Sequence, residues 1–344
     1  MARGFDNWIR MISGGGVGGG RPSNLSVSQA GELFEALLNE AGTEAQVAAL
    51  FVALRQKGSS SDELAGFAGT ARRRLEFPWV DERTVVVATS RLGKLRYPPM
   101  ALASAAAASA AGAKVLIQAS CGVPDAGLTL GDLWQQIVGP IQLNPSQASH
   151  DLQRIGLACW SPTAMDPGWQ RLLRIEEEIG MRCVPDVITK LLAPDRARLL
   201  VAAMAGPVLG TAGDAMDALG HDNGLIIQGV EGSVDPSVTQ RTRGLTLEDG
   251  GTYPLRIQPE DFGFFFEQEA GYLHEDRFQA AKGANMEALM GQEGPALATA
   301  ALGAALILRL AGLARDLATA VGCAREALES GSAHHRLMEL KGIG

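Results

Sequence analysis

Aromatic residues are scarce in this chain: 5 Trp, 3 Tyr and 10 Phe among 344 residues. The interior must therefore be filled mainly by aliphatic and small side chains. Cysteine is scarce as well, and the four thiols (Cys121, Cys159, Cys183, Cys323) show no CxxC spacing. That argues against a disulfide framework or a zinc site and fits reduced thiols. Basic charge is not in excess, because 38 acidic residues face 30 basic ones for a formal net charge of −8. A nucleic-acid contact would need a local basic patch. No apolar run reaches the roughly 20 residues of a membrane span. The two long uncharged stretches, residues 97–113 and 294–308, are dominated by Ala, Gly and Ser and read as closely packed buried helices. Residues 1–6 carry no apolar stretch behind their positive charge, so no secretory leader is expected and the protein is expected in the cytoplasm.

What is present, 46% hydrophobic residues and 42 glycines, implies a sizeable core in either one large α/β domain or two unequal domains. An amphipathic stretch (Phe5, Trp8, Ile9, Ile12) precedes a glycine cluster at residues 14–20. The cluster is either a flexible linker or a loop that lets a ligand approach backbone amides. No strand precedes it, so a dinucleotide-binding loop is not supported. Three capping boxes follow, Ser26 with Gln29, Thr43 with Gln46 and Ser60 with Glu63, and they predict three short helices between residues 26 and 74. Val47, Leu50, Phe51 and Leu54 give the second helix one apolar face, and Gly58 stops it.

After Pro78 the pattern alternates between strands and helices. The β-branched run at residues 84–87 and the segments 114–118, 156–160, 198–201, 224–228 and 253–257 read as strands. Helical patterns between most of them argue for a largely parallel sheet covered by helices. Residues 276–340 return to helix. The reading is an α/β protein with a small helical N-terminal domain, a large domain with a mostly parallel central sheet, and C-terminal helices.

Residues 25–38, 46–58 and 63–66 resemble the helical domain of anthranilate phosphoribosyltransferase and its nucleoside-phosphorylase relatives, and residues 178–182, 258–263 and 327–331 extend the resemblance over nearly the whole chain. It implies a dimerising helical domain at residues 1–80, joined by helices from about residues 165–193, and an α/β domain at residues 81–344. It also implies phosphoribosyl transfer, with a glycine-rich turn cradling a diphosphate and acidic residues holding magnesium.

The turn that matches the family's cradle is residues 88–97. It keeps Ser90 and one glycine, Gly93, and adds three cations, Arg91, Lys94 and Arg96. These read either as phosphate-binding side chains or as a solvated basic loop. The family's second signature is replaced by residues 118–122, which leaves Ser120 and Gly122 as ligand-facing candidates. Cys121 there is either a nucleophile or a bystander. The acidic pair that holds metal matches Asp235–Pro236, so one carboxylate remains with Glu231 nearby, and metal binding is expected to be weak. Arg182 matches a family arginine and is expected either to grip an acidic group or to pair with Glu178 one turn earlier.

A kept scaffold with an eroded diphosphate site is similar to the nucleic-acid-binding paralogues of the family, as is the entry at residues 9–14. Arg72, Arg73 and Arg74 would serve such a role, or form a solvated helix face. The expectation is a homodimer that binds a phosphate-bearing small molecule or single-stranded nucleic acid, with no membrane partner and no required cofactor. An active phosphoribosyl or pentosyl transferase with an altered acceptor, using magnesium, is the alternative.

Overall fold

The computed structural model describes residues 4–15, 20–120, 122, 126–271 and 276–341. Most of the glycine cluster at residues 14–20 and all of Cys121 lie outside them. Helices α1 (Phe5–Ser13), α2 (Val27–Leu38), α3 (Glu44–Lys57) and α4 (Ser61–Arg74) open the chain. Strand β1 (Val85–Ala88), α5 (Ala101–Ala110), β2 (Val115–Gln118), α6 (Leu130–Ile137), α7 (Pro145–Ile155) and β3 (Leu157–Trp160) follow. Next come α8 (Pro167–Ile179), α9 (Val184–Thr189), β4 (Arg198–Ala202), α10 (Leu209–Ala218), β5 (Asn223–Gln228), β6 (Thr242–Glu248) and β7 (Gly251–Ile257). Helices α11 (Arg277–Leu289), α12 (Pro295–Leu310), α13 (Leu317–Glu329) and α14 (Ser332–Lys341) close it.

The chain forms two compact units, one from residues 1–76, 162–192 and 214–220, the other from residues 77–161, 193–213 and 221–344. In the helical unit all three capping boxes form, each with its reciprocal pair of hydrogen bonds. Helices α2 and α4 approach closely because Gly66 has no side chain: a Cβ there would stand 2.7 Å from Ala30 Cβ. Glu63 does more than cap. Fully buried, it accepts a 2.7 Å ion pair from Lys57 and the amide of Leu25.

In the α/β unit the sheet order is β3-β2-β1-β4-β5-β6-β7. Strands β1 to β5 pair in parallel, and β6 and β7 add an antiparallel hairpin at one edge. Parallel strands covered on both faces read as continuous apolar runs, and β1, β2 and β3 are buried at every position. Helix α12, which is almost wholly buried, packs on α5 through small residues, with Gly303 against Ser104. Sequence patterning missed β6. Its hairpin signal is Asp249–Gly250, both at positive φ, as a two-residue hairpin turn requires. Pro254 is tolerated because β7 is the edge strand. No helix among the described residues is long and apolar enough to cross a membrane.

Candidate functional site

The strand order reverses between β1 and β4, the switch point where open α/β sheets bind ligands outside the carboxyl ends of their strands. The loops that follow β1, β2 and β5 converge there. After β1 the chain turns tightly: Ser90 Oγ accepts the Leu92 amide at 3.1 Å, and Gly93 takes φ 63°. Gly93 and Gly127 touch backbone to backbone, which lets Lys94 and Leu128 form an isolated bridge with N···O distances of 2.9 and 2.8 Å. A side chain at either glycine would block that approach.

The cations and the carboxylates singled out by sequence meet across more than 130 residues of chain. Lys94 is buried, and its Nζ lies 2.9 Å from Asp235 Oδ2 and 3.1 Å from the Pro98 carbonyl. The same Asp235 oxygen accepts the Met100 amide at the start of α5 and the Ser233 hydroxyl, both at 3.1 Å. Asp235 Oδ1 is buried and has no hydrogen-bond partner among the described residues. Glu231 sits at φ 55°, a conformation sparsely populated by residues other than glycine. Its carboxylate accepts the successive amides of Leu95, Arg96 and Tyr97 at 3.0–3.2 Å. Consecutive N–H groups aimed at one point form an anion-binding nest, and here the anion is a side chain of the protein itself.

The loop after β2 repeats the theme. Asp132 Oδ1 accepts the Gly122 amide at 3.0 Å, while Oδ2 takes the amide and hydroxyl of Thr129. Ser120 Oγ lies 3.4 Å from Ser161 Oγ, and the Ser120 carbonyl accepts the Thr129 hydroxyl. Asp132 was not singled out by sequence, although Thr129-x-x-Asp132 is a legible capping box. Of the remaining cations, Arg91 is buried and Arg96 is exposed.

Arg182 belongs to the helical unit, where its Nε lies 3.1 Å from Asp186 and its carbonyl accepts from Arg55. Its ion pair is thus one turn forward, with Asp186, rather than one turn back with Glu178. The arginine run is tied down within the same unit. Arg72 donates to the Leu219 carbonyl and Arg73 to Thr70, while Arg74 pairs with Glu35 and Asp166.

A buried ammonium and six backbone amides thus face three carboxylates, so that donors of the kind that bind an anion are already committed to the chain's own side chains. The profile described as "Glycosyl transferase family, a/b domain" matches residues 99–334, and the helical bundle domain of the same family matches residues 17–74. The chain belongs to this glycosyl transferase family. Among curated relatives, the anthranilate phosphoribosyltransferase of Methanothermobacter marburgensis is 28% identical over 339 residues, covering 92% of this chain and 93% of that one. That of Geobacillus kaustophilus is 28% identical over 322 residues, covering 92% and 94%. Among solved structures, the Thermus thermophilus enzyme superposes with a TM-score of 0.79 at 23% identity, covering 98% and 99%. The Saccharomyces cerevisiae enzyme, in complex with PRPP and Mg, gives 0.79 at 15% identity, covering 98% and 97%. These likenesses at low identity establish the fold.

The residues at hand do not fit the family's magnesium. The ion wants near-octahedral oxygens, usually one or two carboxylates beside substrate phosphate. Here one oxygen of Asp235 already holds an ammonium, and both oxygens of Glu231 are filled by amides. Among the described residues no three His, Cys, Asp or Glu side chains group to hold a metal.

Proposed function

We propose that this member of the family binds a phosphate-bearing ligand at residues 90–97 with Ser120 and Gly122 and does not carry out the parent phosphoribosyl transfer. The observation that carries the reading is the commitment of Asp235, which matches the family's acidic pair, and of nearby Glu231 to the chain's own loop. A phosphate group reaches the amides of Leu95, Arg96 and Tyr97 only where Glu231 leaves them. Exposed Arg96 is then the cation at hand, and Lys94 supplies positive charge from below. No metal is required in this reading. A nucleic acid is a further candidate for the phosphate-bearing ligand, and the net charge of −8 leaves its affinity to these few groups. The reading includes a homodimer paired through the helical unit, which sedimentation equilibrium tests.

The test is an assay of phosphoribosyl transfer from phosphoribosyl pyrophosphate to anthranilate with magnesium, beside a titration with short single-stranded DNA. No turnover is expected, and any phosphate-backbone binding should weaken steeply with salt. Turnover would overturn the reading. It would establish the second one, an active phosphoribosyl or pentosyl transferase, which the unpartnered Asp235 Oδ1 and the names of the relatives favour.

A further inference from the structure

A cavity of about 250 Å³ lies at the opposite end of the parallel strands from the first site, beside the starts of β4 and β5 and under the last turns of α12. Register explains its floor and one wall. Leu225 pairs with Thr246, which pairs with Tyr253, and Asn223 pairs with Glu248. Partners and residues two apart share a face of a sheet, so all five present side chains on the face that borders the cavity. Leu306 and Leu310 of α12 and Leu317 of α13 close the apolar side.

Two opposite charges line this space from different elements, Glu248 on β6 and Arg309 on α12. Both are half-buried. Among the described residues neither side chain has an ion pair or a hydrogen bond, although both face the same cavity. Arg198, also on the wall, is occupied: it donates to the carbonyls of Glu82 and Leu310 at 3.0 and 2.6 Å. Half-buried charges without partners lose hydration and gain nothing in return. Separated by a leucine-lined gap, they are complementary to a molecule that carries both charges on an apolar body.

We infer that this cavity is a binding site for a small zwitterion of the α-amino acid class with an apolar side chain, its carboxylate at Arg309 and its ammonium at Glu248. The volume is below the roughly 300–1,000 Å³ of sites for drug-sized ligands and suits a molecule of amino-acid size. This inference is independent of the phosphate reading, since it uses different residues at the opposite end of the strands.

The experiment is calorimetric titration of the full chain with L-leucine, with isocaproate, which lacks the amine, and with isoamylamine, which lacks the carboxylate. Leucine is expected to bind, and each single-charge analogue to bind roughly tenfold or more weaker, because each leaves one protein charge unanswered. Arg309→Gln should abolish the preference for leucine over isoamylamine, and Glu248→Gln the preference for leucine over isocaproate. Thermal melting of both variants reports folding. Glu248 lies on the edge hairpin, so its variant keeps the test open should Arg309→Gln unfold. No heat with leucine at millimolar concentration overturns the inference, as does equal binding of leucine and isocaproate.

Discussion

Replacing Lys94 by methionine removes the ammonium while keeping the apolar stem that fills its buried channel. Asp235, 1% exposed, then loses the 2.9 Å ion pair and keeps only the Met100 amide and the Ser233 hydroxyl on Oδ2. Removing one partner of a buried pair typically costs about 3–5 kcal/mol, because the remaining charge stays uncompensated. The two surviving donors place this case toward the lower end. Urea denaturation followed by circular dichroism should show that loss in the transition of the α/β unit. The double variant Lys94→Met with Asp235→Asn removes both charges and should recover most of it, giving a coupling of about 2 kcal/mol or more in the double-mutant cycle. A single-variant loss below about 1 kcal/mol, or a coupling near zero, would refute the idea that the loop and the acidic residue neutralise each other.

Three further outcomes follow from particular contacts. Gly66→Ala gains helix propensity, yet its new methyl would press on Ala30 at 2.7 Å. A net destabilisation of about 1–3 kcal/mol is expected in thermal or urea melts of the helical unit. Burial, with the charge of Glu176 behind it, pushes the Cys183 thiol up to about 11, whereas Cys323 is exposed. Alkylation near pH 8 followed by peptide mapping should therefore modify Cys323 first and spare Cys183 until the protein is unfolded or the pH approaches the raised value. Ser60→Ala removes the hydroxyl that accepts the Glu63 amide. It should cost about 0.5–2 kcal/mol in the same unfolding measurement.

The helical unit was legible because its signals are local: each capping box spans four residues and dictates its own hydrogen bonds. The buried strands were legible for the same reason, as β-branched runs between turn residues. Strand β6 was missed because it is half exposed and its outward residues are mixed, so only the Asp249–Gly250 turn betrays it. The site was half legible. Sequence named Lys94, Asp235 and Glu231, but assigned the lysine to a ligand and the acids to a metal. Their pairing spans more than 130 residues, and nothing local in either segment states it. Asp132 was overlooked although its capping box was visible, since a cap reads as architecture until its second oxygen is found on the Gly122 amide. Arg182 lies between α8 and α9, so although Glu178 and Asp186 are both four residues away they sit on different helices, and the ion pair forms with the forward one.

The central claim is that the phosphate site is filled by the chain's own carboxylates. Its most direct test is calorimetric titration with phosphoribosyl pyrophosphate, with and without magnesium, of the wild-type chain and of Glu231→Gly, which suits the positive φ at that position. The account predicts weak binding by the wild type, because the ligand must displace the Glu231 carboxylate from the amides of Leu95, Arg96 and Tyr97. It predicts binding at least about tenfold tighter for the variant, whose amides at residues 95–97 are freed, and no dependence on magnesium. Tight, magnesium-dependent binding by the wild type, unchanged or weakened in Glu231→Gly, would contradict it.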